Sequence, residues 1–244
     1  MKKIKKKEEI QSKKITNKRK TKKKTTKKKN TKKIFILVFS LIVFLGITAI
    51  TLFSDLFNIK YIEVINNQKV STEEIIQKSG LVVGKNMFKT FKNTSKKGIK
   101  TNPYIEDVKI NRKFNGSIKI DVTERTVTYM LLKENEYVYI NNQGYILEIS
   151  QNPLEVPIIK GYETTDFTLG NRLIISDLEK LDIIIEITET AKNNGIKNKI
   201  SVIDISDENN YILEIPSEGK TVHFGDKKSI NVKILWIVDL IEKV

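Results

Sequence analysis

The longest hydrophobic feature of the chain is an uninterrupted apolar run at residues 34–53, which contains 20 residues and no charged side chain. A helix of that length spans roughly 30 Å, the hydrocarbon thickness of a bilayer. Its polar residues are Ser40, Thr48 and Thr51, whose hydroxyls can bond to carbonyls of the helix backbone. The run therefore predicts a single membrane-spanning helix.

Two other interpretations fit this run less well. Core helices of soluble domains are rarely apolar on all sides over such a length. A cleaved signal peptide has a shorter apolar region, of roughly 7–15 residues, and ends in small residues. Here the run is followed by Ser54-Asp55-Leu56-Phe57. We therefore expect an uncleaved anchor.

After the anchor, the pattern changes to short strands and helices. A first strand is followed by a helix that begins with a capping box at Ser71 and Glu74 and ends at Gly80. A second, weaker helix comes next and is broken by Gly98. Residues 57–126 thus begin as one strand and two helices.

Two alternating strands complete this region. Val108, Ile110 and Phe114 mark the first of them, and Asn115-Gly116 is a strong signal for a hairpin turn into the second. The order is β-α-α-β-β, which predicts an α+β domain whose sheet is covered on one face by two helices.

The remaining residues predict a second, β-rich α+β domain. Its predicted strands are Thr126–Lys133, Tyr137–Ile140, Tyr145–Glu148, Ile200–Ile205, Tyr211–Ile215 and Thr221–Phe224. A helix is capped by Ser176 and Glu179 and is followed by Gly195. A last helix carries isoleucines at 230, 234, 237 and 241 on one stripe, with Trp236 beside it.

Charge is distributed unevenly along the chain. Residues 1–33 hold 18 basic and two acidic residues, while the rest of the chain holds 26 basic and 27 acidic ones. Such a tail cannot bury enough apolar surface to fold, so we expect it to be disordered. Because positive flanks stay cytoplasmic, the body is expected to lie outside the cytoplasm. The tail has no aromatic residue for base stacking, and no specific nucleic-acid binding is expected.

The chemistry of known catalytic and metal sites is largely missing. The chain has no cysteine and one histidine, His223, so we expect no metal, no cofactor and no catalytic residues. Ser217 and Lys220 match an S-x-x-K pattern but lack the partner motifs of penicillin-recognising enzymes. His223 should face away from Val222 and Phe224, at the surface or edge of its strand.

Several short motifs of the body, in this order behind a basic tail and one anchor, resemble the POTRA domain of the FtsQ/DivIB cell-division proteins. The residues that carry the resemblance are Val70-Ser71, Glu73-Glu74-Ile75, Ser79-Gly80-Leu81, Gly84-Lys85-Asn86, Asn102-Pro103-Tyr104-Ile105, Arg112 and Glu124-Arg125. One departure is Lys113-Phe114-Asn115-Gly116, where the family often has a proline. Residues 127–244 are similar to the family's second, β domain, more loosely beyond residue 161.

The resemblance implies a domain plan and a function. The plan is a disordered tail at 1–33, a transmembrane helix at 34–53, a POTRA-like domain at 57–126 and a β domain at 127–244. The implied function is a single-pass membrane scaffold of the bacterial divisome at the septum, without enzymatic activity. The implied partners are division proteins similar to FtsL and to DivIC/FtsB, and the septal peptidoglycan synthase complex.

Partner binding is expected where a sheet edge is exposed. We expect it at the strand formed by Thr221, Val222, His223 and Phe224, at Trp236 of the adjoining helix, and at the edge of the POTRA-like sheet. The alternative for Trp236 is packing in the core. The family usually has another strand after the last helix, whereas this sequence ends at Val244. Either this member is short and its β domain lacks the final strand, or the sequence lacks its natural end.

Two functions from other classes remain as alternatives. One is an anchored extracytoplasmic enzyme that acts on the cell wall through Ser217 or His223. The other is a chaperone-like POTRA module of a translocation system, which predicts tandem POTRA copies or an attached membrane barrel, and the sequence shows neither.

Overall fold

The structure, a computed structural model, describes residues 31–242 of the chain. The predicted basic tail falls mostly on residues 1–30 and lies outside the described residues. The chain divides into two units, one with the residues up to Asn58 together with Asn86–Lys89, and one with Ile59–Lys85 and all residues from Thr90 onward.

The first unit contains helix α1, Thr31–Phe53, which begins three residues before the apolar run. Among the described residues it is the one helix long and apolar enough to cross a membrane. The hydroxyls of Ser40, Thr48 and Thr51 bond within the helix, as predicted. Ser40 donates to the Leu37 carbonyl at 2.9 Å, and Thr48 and Thr51 donate to the carbonyls four residues earlier, each at 2.8 Å. The helix therefore leaves no hydroxyl of these three without a partner.

The second unit begins with the POTRA-like domain, and its predicted order β-α-α-β-β is confirmed. Its elements are β1 (Tyr61–Ile65), α2 (Thr72–Ser79), α3 (Lys92–Ile99), β2 (Ile105–Arg112) and β3 (Ser117–Glu124). The sheet has the order β1-β3-β2, with β1 parallel and β2 antiparallel to the central strand β3.

Of the two hydrogen bonds that make up the capping box predicted at the start of α2, only the one to the Ser71 hydroxyl is present. The Ser71 hydroxyl accepts the Glu74 backbone N–H at 3.2 Å, as expected of an N-cap. The Glu74 carboxylate does not complete the box, because it accepts a hydrogen bond from the Asn102 side chain at 2.7 Å. That bond ties the helix start to the loop before β2. Gly80 ends the helix in the left-handed region, with φ of 66°.

Gly98 is the next-to-last residue of α3, so the helix ends one residue beyond the predicted break. A Cβ at Gly98 would stand 2.1 Å from the backbone carbonyl oxygen of Lys78 in α2. The glycine is required because the two helix backbones approach closely at this point.

The hairpin turn at Asn115-Gly116 is confirmed, and Gly116 has a φ of 90°. Phe114, taken as the last inward residue of the first strand, belongs to the turn instead. The strand ends at Arg112, and the Phe114 side chain is 86% exposed. The four-residue turn rotates this side chain away from the face that Val108 and Ile110 bury.

The β domain contains one seven-stranded sheet of order β10-β9-β8-β7-β4-β5-β6. Its strands are β4 (Tyr129–Lys133), β5 (Glu136–Ile140), β6 (Ile146–Ser150), β7 (Ile158–Lys160), β8 (Val202–Asp204), β9 (Tyr211–Ile215) and β10 (Lys220–Gly225). Its helices are α4 (Ile175–Asn193) and α5 (Ile230–Glu242). Both helices contribute buried residues to the core on one face of this sheet.

The start of α4 is held by a buried carboxylate rather than by Ser176. Ser176 lies inside the helix and donates to the Glu163 carboxylate at 3.1 Å, so its predicted capping role is wrong. Asp177, which is 3% exposed, accepts the backbone N–H groups of Glu163 at 2.8 Å and of Thr164 at 2.7 Å. These charge-assisted bonds fix the loop after β7 to the helix.

The POTRA-like and β domains are joined by polar and aromatic contacts within the second unit. Arg125, the residue after β3, donates to the carbonyls of Pro103 at 2.9 Å and Ile105 at 2.7 Å. Its guanidinium lies 4.0 Å from the ring centroid of Tyr145 in the β domain, a cation–π distance. The side chain that ends one domain therefore packs on the next.

Candidate partner-binding surface

Strand β10 forms one edge of the seven-stranded sheet. It pairs antiparallel with β9, with Thr221 opposite Glu214 and His223 opposite Ile212, and it has no strand on its other side among residues 31–242. Along such an edge, alternate backbone N–H and C=O groups point outward without a ladder partner. The predicted edge strand is therefore present, one residue longer at each end than the sequence pattern indicated.

The four predicted residues of β10 divide between the two faces of the sheet. Thr221 and His223 are exposed on one face, whereas Val222 is half-buried against the core on the other. Phe224 is 4% exposed, so its side chain belongs to the core and it offers the edge only its backbone. Thr221 and His223 are thus the two side chains of this strand that are open to solvent.

The edge is irregular near its end. The register between β10 and β9 shifts between His223 and Gly225, a bulge that increases the local twist of the strand. Nδ2 of Asn210 lies 3.2 Å from Nδ1 of His223, which holds the imidazole beside the start of β9. The regular part of the edge is therefore Lys220 to His223.

Helix α5 lies alongside β10 and is bonded to both ends of the strand. The Lys220 ammonium donates to the Leu240 carbonyl at 2.8 Å, near the last turn of the helix. At the other end, the Lys233 ammonium donates to the Asp226 carbonyl at 2.7 Å and to its carboxylate at 3.0 Å. The hydrogen bond from Lys233 lowers the pKa of Asp226 below its ordinary value.

One side of α5 is apolar and exposed. We call it the α5 stripe, and its members are Val232 (46% exposed), Leu235 (47%), Trp236 (67%) and Leu240 (55%). Trp236 is two-thirds exposed, so the alternative that it packs in the core of this chain is wrong. Lys233 contacts the strand and therefore marks the side of α5 that faces β10. Successive helix residues are rotated by about 100°, so Leu240 lies about 20° around the helix from Lys233, and Trp236 about 60°. These two side chains are therefore on the β10 side of the helix.

The exposed apolar residues of α5 other than Trp236 could have been predicted from the sequence. Nine of the 13 residues of α5 are apolar, more than one buried stripe requires. Ile230, Ile234 and Ile237 are buried, which accounts for the predicted inward stripe. The surplus apolar positions at 232, 235 and 240 were not identified as a surface feature.

The residues of the alternative catalytic hypothesis are not assembled into a catalytic arrangement. Ser217 is exposed in a short 3-10 turn, Pro216–Glu218. The lysine of its S-x-x-K match, Lys220, donates to the Leu240 carbonyl and not to the serine. Within residues 31–242 no group of three or more His, Asp or Glu side chains could hold a metal ion.

The POTRA-like sheet offers two further edges, β1 and β2, which lie on either side of the central strand. β2 is the longer, with eight residues against five, and Lys109 and Asn111 are exposed along it. Exposed lysine on an edge strand opposes unspecific pairing. The POTRA-like domain thus has candidate edges, but neither α2 nor α3 exposes large apolar side chains as α5 does.

Comparison with known proteins matches residues 57–125 to the family model described as POTRA domain, FtsQ-type. The cell division protein DivIB of Clostridium tetani is 26% identical over 180 residues, which cover 73% of this chain and 67% of that protein. DivIB of Clostridium acetobutylicum is 34% identical over 153 residues, which cover 62% of this chain and 60% of that protein. The cell division protein FtsQ of Syntrophotalea carbinolica is 24% identical over 174 residues, which cover 70% of this chain and 61% of that protein.

Proposed function

The chain belongs to the FtsQ/DivIB family of cell-division proteins, and we propose that it is a scaffold that recruits and regulates other division proteins at the septum. Its role is in cell division, and its partners are membrane proteins of the division machinery. The observation that supports a scaffold is the unpaired edge of β10 beside the exposed α5 stripe. Both features suit contact with another protein.

The proposed topology follows from α1 and from the charge of the sequence. α1 crosses the cytoplasmic membrane once, with the lysine-rich residues 1–33 on the cytoplasmic side. The POTRA-like and β domains then lie outside the cytoplasm. There they can reach the extracytoplasmic parts of other anchored proteins.

The proposed mechanism is strand addition at β10. An extended segment of a partner pairs with the outward N–H and C=O groups between Lys220 and His223, which provides affinity independent of sequence. Selectivity comes from side chains, because Trp236 and Leu240 on the β10 side of α5 can receive apolar residues of the incoming segment. Binding of this kind regulates by contact and requires no turnover.

The partners we propose are proteins similar to FtsL and to DivIC/FtsB, and through them the septal peptidoglycan synthase complex. Such partners would also be anchored in the membrane, so binding takes place between chains already confined to one surface. Confinement raises the effective concentration, and a modest affinity of the edge is then sufficient.

Site-specific photo-crosslinking in dividing cells tests the proposal. A photoreactive residue at Thr221, His223 or Trp236 of the full chain should form adducts with a membrane-anchored division protein, identified by mass spectrometry. Lys192, exposed on α4, is the matched control position and should give no such adduct. Adducts at Lys192 alone, or none at the three test positions in cells that divide, would contradict the proposed surface.

Deletion of residues 221–244 is unsuitable as a test. That segment includes Phe224, Ile230, Ile234 and Ile237, each no more than 4% exposed in the core. Their loss would leave a large cavity and unfold the β domain. Loss of binding after deletion would therefore not distinguish a missing surface from a missing fold, whereas the substitutions above keep the core intact. Depletion of the whole chain is the complementary test, and normal septum formation without it would rule out the division role.

A further inference from the structure

Where the chain enters the POTRA-like domain, at Ile59 and Lys60, backbone hydrogen bonds hold two loops beside it. The Ile59 N–H donates to the Lys85 carbonyl at 2.9 Å, and the Gly84 N–H donates to the Ile59 carbonyl at 2.7 Å. The Lys60 N–H donates to the Gly116 carbonyl of the hairpin turn at 2.8 Å. The loop after α2 and the β2–β3 hairpin therefore flank the entry of the chain.

A third segment reaches the same end through a side chain. The Arg112 guanidinium, at the end of β2, donates to the Thr90 carbonyl, which places the start of α3 beside the hairpin. We call the surface formed by Lys60 and residues 82–85, 90–92 and 112–116 the entry face.

The entry face exposes four large apolar side chains. Phe114 is 86% exposed, Phe91 77%, Val83 56% and Val82 54%. None of them is needed for the core of the domain, which consists of other residues. Soluble monomers rarely present several large apolar side chains together unless they contact another phase or another molecule.

Unpaired positive charge accompanies these apolar residues. Lys60, Lys85, Lys92 and Lys113 are all exposed, and none has an ion-pair partner within the described residues. The sequence 81–102 carries six lysines and no acidic residue, although the body as a whole is nearly neutral. The combination of lysine with aromatic and aliphatic residues is that of surfaces that lie in the headgroup region of a bilayer.

The length of the connection restricts where this face can be. Ile59 follows Phe53, the last residue of α1, by six positions. Six residues span at most about 20 Å even when fully extended. If α1 crosses the membrane, chain connectivity keeps Ile59 within about 20 Å of the end of that helix.

We propose that the entry face docks on an anionic phospholipid bilayer, with Phe91, Phe114 and the Val82-Val83 pair in the headgroup region and the four lysines against lipid phosphates. This contact is independent of the proposed strand addition at β10, because it uses other residues. It needs only the lipid that already surrounds α1, and no additional protein.

The absence of cysteine from the chain makes a direct test possible. The full chain is reconstituted in nanodiscs of phosphatidylcholine with or without phosphatidylglycerol. A single Phe114→Cys or Val83→Cys substitution carries an environment-sensitive fluorophore, and the lipids carry a nitroxide quencher. Thr123→Cys, exposed near the opposite end of β3, is the matched control.

We expect at least twofold stronger quenching at positions 114 and 83 than at position 123, and more in the anionic nanodiscs. The two test positions lie on different loops, so if one variant misfolds, the quenching at the other position can still be measured. Equal quenching at all three positions, or fluorophores that stay in water at both test positions, would overturn the proposal. The second outcome would exclude the lipid as the occupant of the entry face.

A charge variant gives the second measurement. Lys60→Gln, Lys85→Gln and Lys113→Gln in combination should weaken docking by about fivefold per lysine, since each basic residue near an anionic surface contributes about that factor. Lys109→Gln on β2 is the control and should leave the quenching unchanged. Quenching that survives the triple substitution in anionic nanodiscs would contradict the electrostatic part of the proposal.

Discussion

The Tyr104 hydroxyl donates a hydrogen bond to the Glu148 carboxylate at 2.6 Å, and this bond joins the POTRA-like domain to strand β6 of the β domain. The Lys69 ammonium completes the contact, 3.1 Å from the same carboxylate and 5.0 Å from the centroid of the Tyr104 ring. The bond favours neutral tyrosine and ionised glutamate. Accordingly, burial and the nearby carboxylate raise the pKa of Tyr104, and the hydrogen bond from Tyr104 lowers the pKa of Glu148.

Removal of the Tyr104 hydroxyl should weaken the junction. We expect Tyr104→Phe to lower the free energy of unfolding by about 1.5 kcal/mol, the range for a hydrogen bond to a charged group. Urea unfolding followed by circular dichroism measures the change. Tyr61→Phe is the control, because Tyr61 is 52% exposed, and it should have almost no effect. Equal losses in the two variants would show that the Tyr104–Glu148 bond contributes nothing specific.

The junction should also make stability depend on pH on the acidic side. The pKa of Glu148 is lowered from its ordinary value of 4.5, so the unfolded state takes up the proton first. The stabilisation is therefore complete above about pH 4.5 and is lost as the pH falls through the lower folded-state pKa.

Glu148→Gln provides the comparison for this effect. The variant should be less stable than the parent at about pH 7, and the difference should shrink as the pH is lowered towards about 3. Urea unfolding at several pH values gives both curves. A difference that does not change with pH would mean that the charge of Glu148 has no role in the junction.

Trp236 should matter for binding and not for folding. Because the side chain is 67% exposed, Trp236→Ala should change the free energy of unfolding by less than about 0.5 kcal/mol. Exposed tryptophans at an interface often contribute 2 kcal/mol or more, so recovery of the division protein that crosslinks at Thr221 should fall by at least about tenfold. Co-purification in detergent measures it.

The control for Trp236 is Ile175→Ala at the start of α4, where the side chain is 77% exposed. This substitution also removes a large exposed apolar group, and partner recovery should stay unchanged. Similar losses in both variants would indicate general apolar adhesion and not a surface at α5.

Gly98→Ala should destabilise the POTRA-like domain although alanine is the better helix former by about 1 kcal/mol. The added Cβ meets the Lys78 carbonyl oxygen at 2.1 Å, so α2 and α3 must separate, at a net cost of about 1–3 kcal/mol. Asn93→Ala, exposed on the same helix, should leave stability unchanged or raise it slightly. Thermal unfolding in which Gly98→Ala is as stable as the parent would contradict the close approach.

Combined substitution of Ser217→Ala and His223→Gln separates a scaffold from an enzyme. A scaffold needs neither hydroxyl nor imidazole chemistry, and we expect normal septation in cells that depend on the variant chain. Microscopy of cell length and septum frequency measures it, with Trp236→Ala as the variant expected to fail. Loss of septation in the double variant at normal protein levels would favour the catalytic hypothesis.

Local features of the fold could be predicted because their causes lie within a few residues. The Ser71 cap, the Gly80 helix end and the Asn115-Gly116 hairpin each depend on the conformation of one short segment. The alternation in β10 also gave the outward direction of His223, because successive strand residues face opposite sides.

Features that depend on distant neighbours could not be predicted in this way. Gly98 was interpreted as a breaker because its neighbour, the Lys78 carbonyl, lies on another helix. The parallel pairing of β1 with β3 and of β4 with β7 joins segments that are far apart in the sequence. The Tyr104–Glu148 bond spans 44 residues and two domains. In each case the sequence identifies the residue but not the group it meets.

The stacking of Arg125 on Tyr145 restricts the movement of the POTRA-like domain relative to the β domain. Because the residue that leaves the POTRA-like sheet is bonded to its own domain and packed on the next, the connection is not a flexible linker. A partner strand paired with β10 is therefore held at a set distance from the POTRA-like domain. In the proposed scaffold role the two domains would therefore act as a spacer. A division protein whose pairing segment lies at a different distance from the membrane would be excluded by geometry even if its sequence were suitable.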